Sequence, residues 1–437
     1  MPPDDASGTD SASTPEGDAH YLTAVAAVGD SRKLAVARSI YAASGMKLLD
    51  AGASLSSRTL DRLVGHRLAT PLEDSVALEG VLTPAAVVAR TRELARTHAL
   101  LDRFAAGNGK EEKTWALLAR APLPPSILFR LTVAREKFAD LYDHSLRAAL
   151  VALFLGIGGR LSERELELLA TAALMHDFGM LHADPARFAA ERPLDAAARR
   201  QLRAHPLTGM LIAQREPRLS PVIATAILQH HERLDGSGYP TGAKAEQITR
   251  LARILMLVEV VLAMVEHRPH MPELQLSLIL RANHRGFDRE LAGLLLAALP
   301  RVEASEAEAS DAGVSNRLAD VLAGWDRIKT DSIPGGAEGN ARAFIGERMA
   351  SVRRFLADAG VDPAGAGSAQ ATLPDDPAAI AESNGVMKEA LWHVRQIAYD
   401  ATLRWPQLGA GDGSSVDPAL HDWLRRASDQ AGSATSQ

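Results

Sequence analysis

Two neighbouring histidines mark the part of the chain that is richest in possible chemistry. His230 and His231 end an apolar run, and the segment that follows, 232–240, contains two glycines and a proline. Imidazole nitrogens bind metals, and glycines allow a backbone to approach a bound group closely. A second pair, His176 and Asp177, follows another apolar run upstream. The pattern favours a hydrolytic site with more than one metal ion over scattered core polar residues.

Further polar residues lie in or beside apolar helical runs of the same region. Glu259 is the clearest case, because its neighbours from Leu255 to Leu262 are apolar on every face of a helix. A carboxylate there must be neutral, paired or bound to a cation, since burying it bare is costly. The candidate metal ligands are Asp140, His144, His176, Asp177, His205, His230, His231 and Glu259.

One such residue alone is more often a hydrogen-bonded core group than a ligand. Five histidines and several carboxylates on successive helices are better explained by a metal site, because helical bundles project such groups inward from facing helices. Imidazole with carboxylate, and no sulfur, suits divalent ions, with iron or manganese preferred and zinc left open.

The composition predicts the fold class and excludes some kinds of site. The chain has 437 residues, 46% of them hydrophobic and only 4% aromatic, which predicts a mainly α protein of more than one domain. The absence of cysteine excludes thiolate metal sites and cysteine nucleophiles. A net charge of −6 gives no basic field for binding DNA.

Nothing in the sequence predicts a signal peptide or membrane insertion. Residues 1–18 lack an apolar stretch, and the longest apolar candidate, 254–265, is short and contains Glu259. We therefore expect a cytoplasmic protein.

Local signals predict how the elements follow one another. Ser44-Gly45 between short apolar stretches indicates a hairpin within 39–49, and Ser162 with Glu165 forms a capping box. Pro206 predicts that a helix restarts directly after His205. We expect a leader (1–20), an accessory mixed α/β module (21–110), a helical domain (116–300), a linker (301–314), a helical extension (315–428) and a disordered tail (429–437).

The extension carries most of the tryptophans. Weakly amphipathic helices are predicted near 315–328, 341–359, 376–403 and 418–427. Trp325, Trp392, Trp405 and Trp423 fall here and are expected in a helical core, with a partner surface as the alternative.

The motifs together resemble one family. His176-Asp177 looks like the HD signature of metal-dependent phosphohydrolases, and 230–240 resembles the extended motif of its HD-GYP branch. His144, His205 and Glu259 fall in the order that this branch requires. The resemblance covers roughly residues 130–298 and implies an HD-domain helical bundle holding two or three metals.

The resemblance also implies roles for individual residues. His144, His176, Asp177 and Glu259 would hold one metal; His205, His230 and His231 would hold a second, with Asp177 as the bridge. Asp140 would serve an optional third. The catalytic centre would be His176 and Asp177, and the substrate-binding residues would be Asp235, Gly236, Gly238, Tyr239, Pro240 and Arg253.

In this branch the expected reaction is hydrolysis of a cyclic dinucleotide, cyclic di-GMP or a relative, in bacterial second-messenger signalling. Two positions depart from the pattern. Met180 stands where the family has a lysine that contacts substrate phosphate, and Glu259 stands where the family has aspartate. Hydrolysis is the leading hypothesis, and these two departures support its alternative, a catalytically degenerate domain that binds nucleotide or protein. A phosphohydrolase for another nucleotide is a third hypothesis, and a homodimer and a signalling partner are left open.

Overall fold

Helices dominate this protein. The computed structural model describes residues 15–107, 109–187, 196–267, 272–282, 285–299, 313–329, 336–361, 377–405, 408 and 418–429. Strands in these ranges are few and short, so the predicted mainly α class with a small mixed N-terminal module is confirmed.

The α-helices found in the described ranges span most of the chain. They are α1 (Pro15–Gly29), α2 (Pro84–Ala95), α3 (Ala99–Ala106), α4 (Glu111–Ala119), α5 (Pro125–Lys137), α6 (Ala139–Gly158), α7 (Glu163–Met175), α8 (Ala196–Gln214), α9 (Pro221–Gln229), α10 (Arg250–His267), α11 (Pro272–Ala282), α12 (Arg289–Ala298), α13 (Gly313–Lys329), α14 (Gly336–Asp358), α15 (Pro377–Arg404) and α16 (Pro418–Asp429).

The N-terminal module contains two small antiparallel sheets. Strand β1 (Leu34–Val36) pairs with β4 (Val76–Leu78), and β2 (Ile40–Tyr41) pairs with β3 (Lys47–Leu49). The second pair is the hairpin that the sequence predicts, and Gly45 in its turn has a φ of 86°, a conformation that glycine adopts without strain. The hairpin prediction is confirmed.

The chain forms two compact units, and the first contains α1–α10, α12 and the strands. Helix α6 is its central element, because α2, α3, α5, α7, α10 and α12 all pack against it. Its leucines Leu146, Leu150 and Leu153 are fully buried, and burial of each such side chain contributes about 1.5–3 kcal/mol. Helix α7 begins with the predicted capping box of Ser162 and Glu165, which is confirmed.

Helix α6 also meets the length and hydropathy criteria for a membrane span, which the sequence analysis did not anticipate. It has 20 residues, and 61% of its apolar window is buried inside the protein. A core helix of a helical domain has this character, because it is surrounded by other helices on most of its faces. The cytoplasmic location stays a prediction.

The second unit contains α11 and the helices from α13 to α16. The described ends of α13 to α16 lie close to the predicted helices. Its core includes Trp325 and Trp423, whose ring centroids are 5.1 Å apart, as expected for core residues. Trp405 packs against this core, whereas Trp392 is 41% exposed. The expectation of core burial therefore fits three of the four tryptophans.

Candidate metal centre

Five helices of the first unit bring their polar side chains to one place. His144 lies in the second turn of α6, and Glu259 lies in the middle of α10. His176 follows the last residue of α7, His230 follows the last residue of α9, and His205 lies within α8. Histidines at helix ends can point along the helix axis, so several helices can converge on a small volume.

The first cluster, the His144 group, consists of His144, His176 and Glu259, whose ligand atoms all lie within 4.8 Å of one another. The Nε2 atoms of His144 and His176 are 3.2 Å apart. The Glu259 Oε1 atom lies 3.0 Å from His176 Nε2 and 3.7 Å from His144 Nε2. Glutamate in place of aspartate therefore still reaches both imidazoles.

The second cluster, the His231 group, consists of Asp177, His205, His230 and His231, again within 4.8 Å of one another. The Nε2 atoms of His205 and His230 are 3.1 Å apart. Both histidines are buried, with 3% and 0% of their surface exposed. Among the described residues, these two clusters collect seven of the eight predicted metal ligands.

Asp177 faces both clusters through different oxygens. Its Oδ1 atom lies 3.0 Å from His205 Nε2 and 3.7 Å from His230 Nε2. Its Oδ2 atom lies 3.6 Å from His176 Nε2 and 3.8 Å from His144 Nε2. The two oxygens of Asp177 thus face different clusters.

The outer ring nitrogens of the histidines are held by acceptors. The Nδ1 atoms of His176 and His230 lie 2.7 and 2.6 Å from the carbonyl oxygens of Ala173 and Ile227, three residues earlier. The Nδ1 atom of His205 bonds to the carbonyl of Leu202 in the same way. An Nδ1–H that donates outward leaves the Nε2 lone pair directed inward, as metal-binding histidines require.

Helix α8 runs through Pro206, so the prediction of a helix restarting after His205 is wrong. A proline lacks the N–H that would bond to the carbonyl four residues earlier, which here is that of Leu202. The imidazole of His205 bonds to this carbonyl instead and supplies the missing donor. The proline thereby frees an acceptor for the imidazole of His205 without ending the helix.

Gly179 allows the two clusters to approach each other. A side-chain carbon on Gly179 would lie 2.8 Å from the carbonyl carbon and the Cα atom of His205 and closer still to the carbonyl oxygen. Gly179 belongs to the 3₁₀ helix Phe178–His182, which follows Asp177 directly. Only glycine fits at this contact between α8 and the segment that follows His176 and Asp177.

The segment after His231 is held by Glu232, which is fully buried. Its carboxylate accepts hydrogen bonds from the backbone N–H and hydroxyl of Thr241, both at 2.7 Å, and from the N–H of Ala243 at 3.0 Å. A side chain at Gly238 would collide with the backbone of Glu232 and Arg233. The loop therefore folds tightly around a buried acid.

Most of the predicted substrate-binding residues belong to this loop. Gly236 has a φ of 80°, and the carboxylate of Asp235 accepts the N–H of Ser237 at 2.9 Å. The ring of Tyr239 stacks on His231 with centroids 4.7 Å apart, and the guanidinium of Arg203 lies over the same ring, 5.1 Å from its centroid. Tyr239 is thus held between the His231 group and a cationic side chain of α8.

The remaining predicted residues lie away from these contacts. Pro240 follows Tyr239 through a cis peptide bond and is exposed. Arg253 donates to the carbonyls of Ile248 and Ala245 at 3.1 and 2.9 Å. Asp140 lies one turn before His144 with an exposed side chain and belongs to neither cluster.

Electrostatics keep the two carboxylates ionised. Burial by itself would raise the pKa of Asp177 and of Glu259, but the neighbouring imidazoles, chiefly that of His176, outweigh it and hold both values well below the usual range. Two buried negative charges next to converging nitrogen atoms attract cations.

The histidines divide into two kinds. Burial lowers the pKa of His230 and lowers that of His231 further, with the charge of a neighbouring histidine acting in the same direction, so both stay neutral. Burial also acts to lower the pKa of His144, but the carboxylates of Glu259 and Glu266 beside it raise it well above the usual range. A neutral imidazole is the form that binds a metal.

The residues present fit divalent cations. Asp177 Oδ1 and Glu259 Oε1 are buried and have no hydrogen-bond partner in the described part of the protein. Asp177 Oδ1 faces His205 Nε2, and with the His205 proton on Nδ1 neither atom carries a hydrogen. Two facing lone pairs repel unless a positive charge lies between them, and oxygen with imidazole nitrogen suits iron, manganese or zinc.

Sequence reasoning missed three residues around the clusters. Glu266 accepts from His144 Nδ1, Glu232 organises the loop, and Arg203 covers Tyr239. Glu266 carried a usable signal, because it lies seven residues, about two helical turns, after Glu259 and so on the same face of α10. No sequence spacing connects Arg203 to Tyr239.

The comparison with known families agrees with this geometry. Residues 137–291 match the family model described as HD domain. The match agrees with the HD signature that His176 and Asp177 predicted.

Curated relatives cover the same part of the chain. The cyclic di-GMP phosphodiesterase response regulator RpfG of Xanthomonas campestris is 33% identical over 37% of this chain and 40% of its own length. A cyclic di-GMP phosphodiesterase of Pseudomonas aeruginosa is 32% identical over 32% of this chain and 34% of its own length. The 3'3'-cGAMP-specific phosphodiesterase 3 of Vibrio cholerae is 30% identical over 41% of each chain. This chain thus spans about two fifths or less of each of these relatives.

Proposed function

We propose that this protein is a metal-dependent phosphodiesterase that hydrolyses a cyclic dinucleotide in bacterial second-messenger signalling. The observation that carries the proposal is the position of Asp177, whose two oxygens face two separate histidine clusters. The names of the relatives support this reaction, because two act on cyclic di-GMP and one on 3'3'-cGAMP. The substrate is therefore proposed to be one of these two compounds.

The His144 group together with Asp177 would hold one ion, and the His231 group, which includes Asp177, would hold the other. Two bound divalent ions supply an activated water nucleophile and stabilise the charge that develops on the phosphate during in-line attack. The donor set supports iron or manganese, with zinc as a further candidate. An ion at Asp140 stays a prediction, as do a homodimer and a signalling partner.

The chain's own residues would prepare the substrate for this attack. Glu232 holds the loop in one conformation, so that little ordering is left to binding. Burial raises the pKa of the Tyr239 phenol, so its hydroxyl stays protonated and can donate a hydrogen bond to a phosphate oxygen. Arg203, beside Tyr239, adds positive charge at the edge of the His231 group.

A direct assay tests the proposal. The protein would be purified without oxygen, its metal content measured, and linear product followed from cyclic di-GMP and from 3'3'-cGAMP. We expect about two metal equivalents and product from at least one substrate, and an Asp177→Ala variant with neither full loading nor turnover. Stoichiometric metal without product from either compound would reject the hydrolase and favour the degenerate, nucleotide-binding alternative.

A further inference from the structure

Glu266 is a carboxylate that faces the metal centre from behind one of its histidines. Its Oε2 atom lies 2.8 Å from His144 Nδ1, and its Oε1 atom accepts from the guanidinium of Arg147 at 2.9 Å. Glu266 and His144 are largely buried, with side chains 16% and 17% exposed. Glu266 thus contacts Arg147 with one oxygen and His144, a candidate metal ligand, with the other.

His144 differs from three other ligand histidines in its outer partner. His176, His205 and His230 use backbone carbonyls for this purpose. The carbonyls in question are available, because the last turn of a helix and the carbonyl four residues before a proline lack backbone N–H partners.

No such carbonyl is available to His144. It lies inside α6, where the carbonyl of Leu141 accepts an N–H within the regular helical pattern. An outward Nδ1–H at this position must therefore find a side-chain acceptor. Glu266, which reaches across from α10, supplies it.

We propose that Glu266 is a positioning residue that orients His144 for metal binding and places behind it a carboxylate that the His231 group lacks. This inference rests on the proposed metal centre. A carboxylate acceptor fixes the imidazole tautomer and increases the basicity of the inward nitrogen more than a neutral carbonyl does. The His144 group has Glu259 as ligand and Glu266 behind it, whereas the outer partners of His205 and His230 are uncharged carbonyls.

Titration of the full-length, metal-stripped chain with Mn²⁺ tests the inference. For wild type we expect two binding equivalents. For Glu266→Ala we expect the affinity of one equivalent to fall about 10–100-fold, the range seen when an outer partner of a ligand is removed, while the other keeps its wild-type value. Glu266→Gln should lose less, because the amide oxygen can still accept the Nδ1–H but lacks the charge.

The chain offers a matched control. Glu167 has a side chain 19% exposed and paired with Arg120 at 3.0 Å, as Glu266 is paired with Arg147, but it lies outside both clusters. Glu167→Ala should leave both Mn²⁺ equivalents unchanged. Far-UV circular dichroism would establish that each variant is folded, and the nearly isosteric Gln variant carries the test if Glu266→Ala does not fold.

Each outcome decides a separate question. Wild-type affinity at both equivalents in a folded Glu266→Ala or Glu266→Gln chain would overturn the inference, as would an equal loss at both. A wild type that binds two Mn²⁺ ions but hydrolyses no cyclic dinucleotide would overturn the proposed reaction and leave the role of Glu266 intact. A wild type that binds no Mn²⁺ would overturn both.

Discussion

Gly179 determines how closely the two histidine clusters approach each other. It lies between Asp177, which faces both clusters, and the backbone of His205, which belongs to one of them. Because Gly179 has no side chain, the backbone of His205 can approach closely enough for Asp177 to face both clusters.

Gly179→Ala should therefore damage both stability and metal binding. The added methyl group must displace rigid backbone at His205, and such overpacking typically costs about 1–3 kcal/mol. Thermal unfolding and metal content would measure the effect. Gly293→Ala is the matched control, because nothing lies within 4 Å of a side chain at this position in α12 and alanine favours a helix by about 1 kcal/mol over glycine. Equal stability of the two variants would contradict the role assigned to Gly179.

Met180 is the residue at which substrate affinity can be tested. It lies in the 3₁₀ helix after Asp177, half-buried, where the family has a phosphate-binding lysine. Met180→Lys should lower the KM for the cyclic dinucleotide about tenfold or more, because a charge-assisted hydrogen bond contributes about 1.5–3 kcal/mol. Met180→Leu, which keeps the side chain apolar, should leave KM near wild type in the same steady-state assay. An unchanged KM in the Lys variant would mean that this side chain does not reach the phosphate.

The residues of the two clusters could be predicted to lie together because their types and neighbours form recognisable motifs. Glu266 and Arg203 could not, since their roles depend on contacts between α6 and α10 and between α8 and the loop after His231. Such contacts are set by packing of elements far apart in sequence. Motifs therefore identify candidate ligands more readily than the side chains that contact them.

A polar contact centred on Glu216 connects the end of α8 to α5. After the end of α8, the buried carboxylate of Glu216 accepts from Arg218 at 2.6 and 2.8 Å and from the hydroxyl of Ser126 in α5. The bidentate hydrogen bonds of Arg218, together with Ser126 and against the effect of burial, lower the pKa of Glu216 from 4.5 to about 2. This contact joins two helices of the first unit.

A depressed carboxyl pKa predicts a specific dependence of stability on pH. Ionised Glu216 contributes stability that is fully present above about pH 4.5 and is lost as pH falls towards about 2. Glu216→Gln should thus be less stable than wild type at pH 7, and the difference should shrink between these two pH values. Urea denaturation of both metal-free chains at several pH values measures it. A difference that stays constant down to pH 2 would refute this contribution.

Sequence patterns predicted α7, where periodicity and the cap at Ser162 agree, and also α13 to α16, for which weak periodicity was the signal. The break at Pro206 was predicted wrongly for a physical reason. Proline is expected to interrupt a helix because it lacks a backbone N–H, but here the imidazole of His205 donates to the carbonyl of Leu202 in its place.

The whole chain is organised in a way that sequence order does not reveal. Helix α11 lies between α10 and α12 in sequence, yet it belongs to the unit formed by the later helices, where it packs against α15. Its Leu276 and Leu280 are buried. Grouping of this kind depends on contacts about a hundred residues apart, so the predicted boundaries at 300 and 315 stay predictions.

Removal of residues 300–437 should therefore affect a helix that the truncation does not touch. Without α15, the apolar side of α11 loses its cover, and exposed apolar area binds hydrophobic dyes. We expect the truncated chain to bind anilinonaphthalene sulfonate more strongly than the full chain and to unfold at lower temperature. Substitution of Leu276 and Leu280 by Gln in the truncated chain should reduce the dye signal; unchanged dye binding on truncation would contradict the packing of α11 on α15.

Because the carboxylate of Asp177 has one oxygen towards each cluster, binding of a metal ion at one cluster should affect binding at the other. An ion held on one side would fix the orientation of Asp177 and so remove part of the ordering entropy that the other side must overcome. By linkage, each bound ion would raise the affinity of the other site by the same factor, and the electrostatic repulsion between the two ions opposes this cooperativity. If the cooperative effect is larger than the repulsion, chains given less than two equivalents of metal would carry either two ions or none, with few carrying a single ion.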